Sequence, residues 1–266
     1  MRDALRSPAP ERRGGLGALR FAGILLAVGI AYALCFRVAE VDLARLWLGL
    51  PRLAAWAARA WPPDLSDLDL TLHHAAQTLA MATLGTTLGA LIAVPLCLAA
   101  ARNTAPHPFV VPPARLALNT LRGIDGFVFA LVFVAAVGLG PFAGVLGVGL
   151  HSAGSIAKLW SESIETADPR PVEAATLTGA SRLKVIVYAL LPDVGPALAG
   201  IALYTWEFNV RASTVLGIVG AGGIGQELKN AVDLLDFPRV LTVLLVILVM
   251  VTAIDWLSAR ARRHLA

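Results

Sequence analysis

The feature that most constrains this chain is a series of long apolar blocks, each about as long as a helix that crosses a lipid bilayer. The hydrocarbon core of a bilayer takes about 20 apolar residues in helical form, and six blocks of that size alternate with short charged stretches. With 57% hydrophobic and 15% charged residues, the composition differs from that of soluble domains, in which about a quarter of residues are charged. The sequence therefore predicts an all-α integral membrane protein with a single bundle of six helices. The blocks span about residues 19–39, 75–100, 116–137, 141–160, 193–216 and 238–257.

Basic residues are distributed unequally between the two sides of these blocks. Lys and Arg collect on the cytoplasmic side of membrane helices. Of the 22 Lys and Arg residues, fifteen flank the blocks on one side, six flank them on the other side, and Arg211 lies within a helix. The asymmetry predicts that both termini are cytoplasmic, with residues 1–18 as an N-terminal tail and residues 19–266 as the transmembrane domain. Residues 40–74 then lie outside, and a short surface helix is expected there. No small-x-small cleavage site precedes Glu40, so the first helix is expected to stay uncleaved.

Composition and motif content exclude several classes of function. The basic residues form no stripe with interleaved aromatic residues, so no nucleic acid partner is expected. Cys35 and Cys97 lie in apolar blocks without CxxC or metal-ligand spacing. Because His73 and His74 point to different faces of a helix, no metal site is expected there either. No lysine follows a glycine, so the chain has no P-loop and cannot hold ATP by that motif.

A segment at residues 167–181, between the fourth and fifth blocks, has the pattern of an ordered helix and not of a plain loop. Pro171 suits the first turn of a helix, and Glu173 complements the positive N-terminal end of the helix dipole. Gly179 fits the left-handed conformation that ends many helices. These features predict a helix of about two turns on the cytoplasmic side.

A second helix is predicted to follow directly. Ser181 suits its N-cap, and the helix is expected to run through Ile186 to Leu191. It is expected to stop near Pro192, because proline cannot continue the hydrogen-bond ladder. The two helices define a cytoplasmic loop of about residues 167–191.

The order of residues in this loop resembles the cytoplasmic signature of permease subunits of binding-protein-dependent ABC importers. A Glu-Ala-Ala triplet is followed by a glycine four residues after its last alanine, then by an isoleucine and a closing Leu-Pro pair. The resemblance implies a type I importer permease of six helices in the cell inner membrane. Its loop helix would dock in a cleft on a separate ATPase subunit. The residues that the resemblance assigns to ATPase coupling are Glu173, Ala174, Ala175, Leu177, Gly179, Ile186, Leu191 and Pro192.

The same resemblance implies partners and a mode of action. An extracytoplasmic solute-binding protein delivers the substrate, a second copy of the chain completes the pathway as a homodimer, and membrane lipid surrounds the bundle. ATP and Mg²⁺ belong to the partner ATPase, so no cofactor is expected in this chain. The resemblance implies a transporter subunit and not an enzyme. The rival class is a membrane-embedded enzyme acting on lipid or peptide. It would need a nucleophile and a base in a known pattern, and the sequence shows none.

Two further stretches, residues 133–144 and 211–228, resemble the phosphonate permeases of this class. The likeness is expected to extend over about residues 75–257 and implies transport of phosphonate or a related phosphorus oxyanion. Phosphite, phosphate or another small solute stays an alternative, because much of the specificity of such systems resides in the binding protein. At residues 123–126 the sequence Gly-Ile-Asp-Gly replaces the proline and acidic residue usual in such permeases, which leaves a kink there open.

Polar residues inside the apolar blocks are candidates for the translocation path, because costly charges in membrane helices normally face the bundle interior. Glu207 and Arg211 lie four residues apart on one face of the fifth helix and can pair. The pathway assignment covers Glu207, Asn209, Arg211 and His151. The alternatives are a purely structural ion pair between Glu207 and Arg211 and a packing role for His151.

Residues 220–225 fit the GxGxxG pattern of dinucleotide-binding proteins. That pattern carries meaning only after a strand in a βαβ unit, and here a predicted membrane helix precedes it. The glycines are therefore interpreted as a tight turn outside the fifth helix that lets backbones pack closely.

Overall fold

The computed structural model describes residues 14–264, and the regular elements in that range are all helical, as predicted for an all-α protein. Two 3₁₀ turns, Pro108–Val110 and Gly217–Val219, and a π-turn, Ile186–Leu190, lie between the α-helices. The α-helices are α1 (Gly14–Val38), α2 (Leu43–Arg59), α3 (Leu68–Ala100), α4 (Val111–Gly123), α5 (Gly126–Val137), α6 (Pro141–Glu165), α7 (Pro169–Leu177), α8 (Arg182–Val185), α9 (Leu191–Leu216), α10 (Ile224–Asp233) and α11 (Phe237–Arg263).

Five helical runs in the described range are long and apolar enough to cross a membrane, and the bent pair of α4 and α5 makes a sixth when counted as one span. This agrees with the six apolar blocks of the sequence. Several helices extend beyond their blocks, because apolar content marks the part of a helix that suits hydrocarbon and not the helix ends. The five runs are Arg20–Val38, Leu68–Ala100, Pro141–Glu165, Arg182–Val219 and Phe237–Arg263.

The third apolar block, residues 116–137, forms two helices, so the kink that the sequence left open is present. The chain bends by 85° between α4 and α5, where Ile124 adopts an extended conformation. Asp125 then caps α5, since its Oδ1 atom accepts a hydrogen bond of 2.8 Å from the backbone N–H of Phe127. An aspartate at the N-cap satisfies a backbone donor that helix geometry leaves unpaired, so the helix can end and restart here without a proline.

The prediction that the second loop helix stops near Pro192 is wrong. The chain stays helical from Arg182 through the π-turn into α9, and Pro192 lies in the first turn of α9. In the π-turn the backbone N–H of Leu191 donates to Ile186 O, five residues earlier. This wider turn accommodates the proline ring, which would clash with the carbonyl four residues before it in a regular α-helix.

The described residues divide into two units, one that ends at Trp56 and one that begins at Ala57. In the first unit α1 is rich in apolar residues. Residues 1–13, which belong to the predicted cytoplasmic tail, lie outside the described range. Asp42 caps the N-terminus of α2, because its Oδ1 atom accepts hydrogen bonds of 2.9 and 3.0 Å from backbone N–H groups of the first turn. Helix α2 is the short helix that the sequence predicts within residues 40–74.

Helix α6 is the centre of the second unit, where α3, α4, α5 and α9 pack against it. Glycines make the contacts close. A Cβ atom at Gly147 would lie 2.7 Å from the backbone nitrogen of Ala130 on α5, and one at Gly154 would lie 2.6 Å from that of Arg122 on α4. Small residues let membrane helices approach closely enough for dispersion contacts to hold them together. These glycines therefore fix α4 and α5 against α6.

The glycine-rich residues 220–225 form a turn between α9 and α10. Gly220, Gly222 and Gly223 have φ of +86°, +76° and +74°, a conformation that glycine adopts without strain. The backbone N–H of Gly140 donates to Gly220 O at 2.9 Å, which joins this turn to the one between α5 and α6. The interpretation of the GxGxxG pattern as a tight turn is confirmed.

We predict that Gly154→Ala destabilises the protein because the new methyl group would overlap the backbone of α4. Overpacking a close contact costs about 1–3 kcal/mol. Gly200→Ala is the matched control, since Gly200 also lies in a helix but has no atom within 4 Å of where a Cβ atom would stand. Alanine favours a helix over glycine by about 1 kcal/mol, so the control should be unchanged or stabilised. Thermal denaturation of the detergent-solubilised proteins measures both, and equal midpoints would contradict the packing argument.

Candidate functional site

Helix α7 forms where the sequence predicts a short loop helix, and Asp168 fixes its first turn. The Oδ1 atom of Asp168 accepts a hydrogen bond of 3.0 Å from the backbone N–H of Arg170. The guanidinium of Arg170 returns to the same carboxylate, with Nε 2.8 Å from Oδ2. This hydrogen bond from the Arg170 side chain lowers the pKa of the Asp168 carboxyl below its usual value. Pro171 lies in the first turn, where backbone N–H groups have no partner within the helix.

One face of α7 is open. Glu173 and Ala174 are exposed, and Leu177 is 89% exposed. The other face carries Val172 and Thr176, which line a cavity of about 250 Å³ towards the π-turn. An acidic group, a small side chain and an exposed leucine thus share the surface that faces away from the bundle.

Ala175 and Gly179 are the remaining predicted coupling residues in or next to α7, and Gly179 sets the direction in which the chain leaves that helix. Ala175 is half-buried, and Gly179 adopts the predicted left-handed conformation, with φ of +76°. Its backbone N–H donates to Thr176 O at 3.0 Å. No atom lies within 4 Å of where a Cβ would stand at Gly179. The backbone conformation, and not crowding, therefore restricts this position.

The other three residues of the predicted coupling set lie along the π-turn and the start of α9. Ile186 is half-buried and lines the same cavity as Val172, so it contacts the inner side of the α7 region. Leu191 and Pro192 are exposed, and Leu191 lines a separate, apolar cavity of about 420 Å³. Ile186 lines this second cavity as well, so of Ile186, Leu191 and Pro192 only Ile186 also lines the cavity next to α7.

Ion pairs and hydrogen bonds join the ends of α3, α4 and α6 close in sequence to the start of α7. Glu165, the last residue of α6, accepts from Arg115 Nη2 at 2.6 Å and from the backbone N–H of Arg102 at 2.7 Å. Arg182, at the start of α8, donates to Ala105 O. Sequence reasoning missed this network and used Arg102, Arg115 and Arg182 only as markers of topology. The partners lie 50 to 77 residues apart, and no local spacing indicates such contacts.

Two cavities adjoin His151 and Asn209. One, of about 220 Å³, lies by the α4–α5 bend and is also lined by Asp125. The other, of about 260 Å³, is also lined by Arg122. Two of the four predicted pathway residues therefore line cavities of a size to hold a small solute. Asp125 and Arg122 were not among the predicted site residues.

His151 connects α6 to the bend. Its Nδ1 atom lies 2.9 Å from Ile124 O, and because a carbonyl oxygen only accepts, Nδ1 carries the proton. The bond satisfies a carbonyl that the bend leaves outside a regular helix. The second nitrogen, Nε2, accepts a hydrogen bond when the ring is neutral and donates one when the ring is protonated.

Asn209 joins three helices at the same depth. Its Nδ2 atom donates to Thr86 Oγ1 at 2.7 Å and to Ser152 Oγ at 2.8 Å. The Thr86 hydroxyl donates its own hydrogen to Ala82 O at 2.7 Å, so Thr86 can only accept from Asn209, which settles the orientation of the amide. Both amide hydrogens are therefore used, and the Asn209 carbonyl oxygen remains as an acceptor.

Glu207 and Arg211 lie on the opposite face of α9 from Asn209, against α11. Arg211 Nη2 lies 2.9 Å from Glu207 Oε1, so the predicted pairing is confirmed. Arg262 of α11 lies 3.1 Å from Glu207 Oε2, and Asp255 lies 3.6 Å from Arg211. Neither Glu207 nor Arg211 lines the two cavities at His151. Their place on the translocation path stays a prediction.

Titratable residues also meet where α3, α10 and α11 begin. Glu227 is buried and accepts from Arg239 Nε at 2.7 Å, and Arg239 Nη1 lies 2.8 Å from Asp67. His74 Nε2 is 3.8 Å from Glu227. Among residues 14–264 no group of three or more His, Cys, Asp or Glu side chains is arranged to hold a metal ion.

Residues 85–266 match the protein family described as binding-protein-dependent transport system inner membrane component. The chain belongs to this family. It is a permease subunit of an ABC importer in the inner membrane and not an enzyme, as the loop signature implied. A permease of such a system works with an ATPase and a solute-binding protein.

Two curated relatives and one solved structure show how far the likeness extends. PtxC of Stutzerimonas stutzeri, a phosphite transport system permease, is 43% identical over 98% of both chains. HtxC of the same organism, whose name assigns it provisionally to phosphite transport, is 54% identical over 86% of this permease and 82% of its own length. A chain in the inward-facing MetNI methionine ABC transporter superposes with a TM-score of 0.67 at 22% identity, over 76% of this permease and 99% of that chain. This superposition confirms the type I permease fold.

We predict that Glu207→Gln destabilises the permease more than Arg211→Gln does. Glu207 is 12% exposed and pairs with two arginines, so its loss leaves Arg262 without a carboxylate and leaves Arg211 with only Asp255, at 3.6 Å. Arg211 is 45% exposed, and its loss leaves Glu207 paired with Arg262. The expected costs are about 2 kcal/mol for Glu207→Gln, since one partner of a largely buried pair is removed, and about 1 kcal/mol or less for Arg211→Gln.

Membrane abundance and thermal denaturation of the two single variants and the double variant measure these costs. The double variant should lose less than the sum of the single losses, because the residues share one network. A larger loss for Arg211→Gln than for Glu207→Gln would contradict the network described here.

Proposed function

We propose that this permease carries a small phosphorus oxyanion, phosphite or phosphonate, across the inner membrane. The observation that supports the proposal is the likeness to PtxC, a phosphite permease, along 98% of both chains at 43% identity. This likeness also extends over most of the chain before residue 85, and not only over residues 85–266, which match the family as a whole. Phosphate or another small solute is the alternative.

We propose further that the assembly contains two copies of this chain, two ATPase subunits and one extracytoplasmic binding protein. One chain supplies six spans and so half of a pathway, and a two-fold axis between identical chains completes it, as in most closed homo-oligomers. The excess of basic residues on one side of the spans supports cytoplasmic termini and a cytoplasmic α7. ATP and Mg²⁺ are held by the partner ATPase.

The open face of α7 is proposed to dock on that ATPase. Glu173, Ala174 and Leu177 point away from the bundle, and small side chains let a short helix sit deep in a cleft. The ion pair of Glu165 with Arg115 joins α4 to the end of α6, shortly before α7 begins. Movement of the ATPase subunits would then pass through α7 to the bundle and alternate access to the cavities at His151 and Asn209.

We predict that cells expressing the permease with its ATPase and binding protein accumulate radiolabelled phosphite, and that unlabelled phosphonate competes with it. Both anions present oxygens on phosphorus to the same donors, whereas an uncharged solute of similar size should not compete. Uptake by rapid filtration measures this. Accumulation of phosphate, with no phosphite or phosphonate uptake by the assembled complex, would contradict the proposed substrate.

We predict that Gly179→Val abolishes uptake while the permease still inserts in the membrane. A residue with a Cβ atom at positive φ costs about 1–2 kcal/mol, more so when β-branched, so the chain leaves α7 in another direction and tilts the docked helix. Gly179→Asn is the matched control, because asparagine tolerates the left-handed conformation. It should transport at near the wild-type rate.

The second readout is the ATPase retained on the solubilised permease, which should fall for Gly179→Val and for Glu173→Ala. Glu173→Ala removes the exposed carboxylate at the N-terminal half of α7. Full uptake and normal ATPase retention by Gly179→Val would show that α7 is an ordinary loop helix.

A further inference from the structure

The larger of the two cavities at His151 combines a cation with several hydroxyl groups and has no carboxylate in its lining. It measures about 260 Å³ and lies between α4, α6 and α9. Its size exceeds the share of liquid volume of several water molecules, about 30 Å³ each, so a tetrahedral anion fits. The polar residues that line it are Arg122, His151, Ser155, Tyr204, Thr205 and Asn209.

Hydrogen bonds within the protein decide which of these groups are free to bind a ligand. The Thr205 hydroxyl donates to Ile201 O at 2.9 Å, so it has no hydrogen left to offer. The amide hydrogens of Asn209 are used by Thr86 and Ser152, so Asn209 offers only an acceptor. Among the residues that the structure describes, the Ser155 and Tyr204 hydroxyls have no acceptor. These two remain as donors towards the cavity.

Arg122 supplies the guanidinium group in the lining of this cavity, and no carboxylate in the described range pairs with it. Three other arginines in or beside the spans do have such a partner: Arg115 has Glu165, Arg211 has Glu207, and Arg239 has Glu227. The backbone of Arg122 is packed against α6, because a Cβ atom at Gly154, next to Ser155, would lie 2.6 Å from its nitrogen, while its side chain is exposed. A guanidinium with five unused N–H groups matches the oxygens of a phosphorus anion in geometry and charge.

We infer that this cavity is a transit site for the phosphorus oxyanion inside the permease, with Arg122 as its counter-ion. Ser155 and Tyr204 donate to the anion oxygens, and the Asn209 carbonyl oxygen accepts from the P–OH group of a monoprotonated anion. His151 adds a donor from Nε2 when its ring is protonated, since Nδ1 is held by Ile124 O. The inference rests on the proposed function and adds the residues that recognise the substrate after it leaves the binding protein. A lipid phosphate has the same chemistry and is the other source from which the anion could come.

The test measures phosphite uptake, with phosphonate as a second substrate, by the complete transporter in liposomes at matched permease content. Arg122→Gln should lower the maximal uptake rate about tenfold or more, because one charge-assisted interaction with the anion is lost. The half-saturating phosphite concentration should not change, since the binding protein sets it. Arg122→Lys should retain more activity than Arg122→Gln. Arg260→Gln is the matched control, because Arg260 lies in the last turn of α11 and lines neither cavity.

Other outcomes separate this inference from its alternatives. Wild-type uptake rates for Arg122→Gln would overturn the transit site and leave the proposed function intact. No uptake of phosphite or phosphonate by the wild-type complex would overturn the proposed function itself. A thermal midpoint of Arg122→Gln that no longer responds to anionic phosphatidylglycerol, with normal uptake, would assign Arg122 to lipid. If Arg122→Gln does not assemble, the double variant Ser155→Ala with Tyr204→Phe decides: lower uptake at normal abundance supports the site, and unchanged uptake overturns it.

Discussion

Close contact between helix backbones on α6 is the interaction on which the rest of the bundle depends. Lipid tails are as apolar as leucine, so hydrophobic burial does not by itself hold helices together in a membrane, and tight packing must. Gly147 and Gly154 bring α5 and α4 against α6, although the chain bends by 85° between those two helices. With both arms of the bend fixed on one helix, Ile124 O faces His151. The position of the two cavities at His151 follows from that contact.

Helix α9 is held on both sides by different kinds of polar contact. On one face Asn209 bonds to α3 and α6 through two hydroxyl groups. On the other face Glu207 bonds to Arg262 of α11 and to Arg211 of α9 itself. Unpaired polar groups are costly in hydrocarbon, so each face specifies its neighbour. The face of α9 that carries Asn209 adjoins the cavities, and the face that carries Glu207 joins α9 to α11.

Sequence patterns predicted those features that depend on neighbouring residues. The apolar blocks, the left-handed conformation of Gly179 and the pairing of Glu207 with Arg211 each follow from composition or from spacing of a few residues. The bend at Asp125 could not be predicted by looking for a proline, because an N-cap serves the same end with other chemistry. The continuation of helix through Pro192 depends on a π-turn, which has no residue signature in this sequence. The contacts of Glu165 and the lining around Arg122 depend on tertiary packing between distant segments.

The π-turn has a mechanical consequence. Because no loop separates Ile186 from α9, the segment after α7 and the residue Asn209 belong to one stiff rod, about 35 Å long at about 1.5 Å per residue. A tilt of about 10° at the α7 end would displace the far end by about 6 Å over such a length. The wide turn at residues 186–190 also interrupts the α-helical hydrogen-bond register of the rod. The same five residues would therefore determine how much of a movement at α7 reaches the cavities as rotation and how much is absorbed as bending.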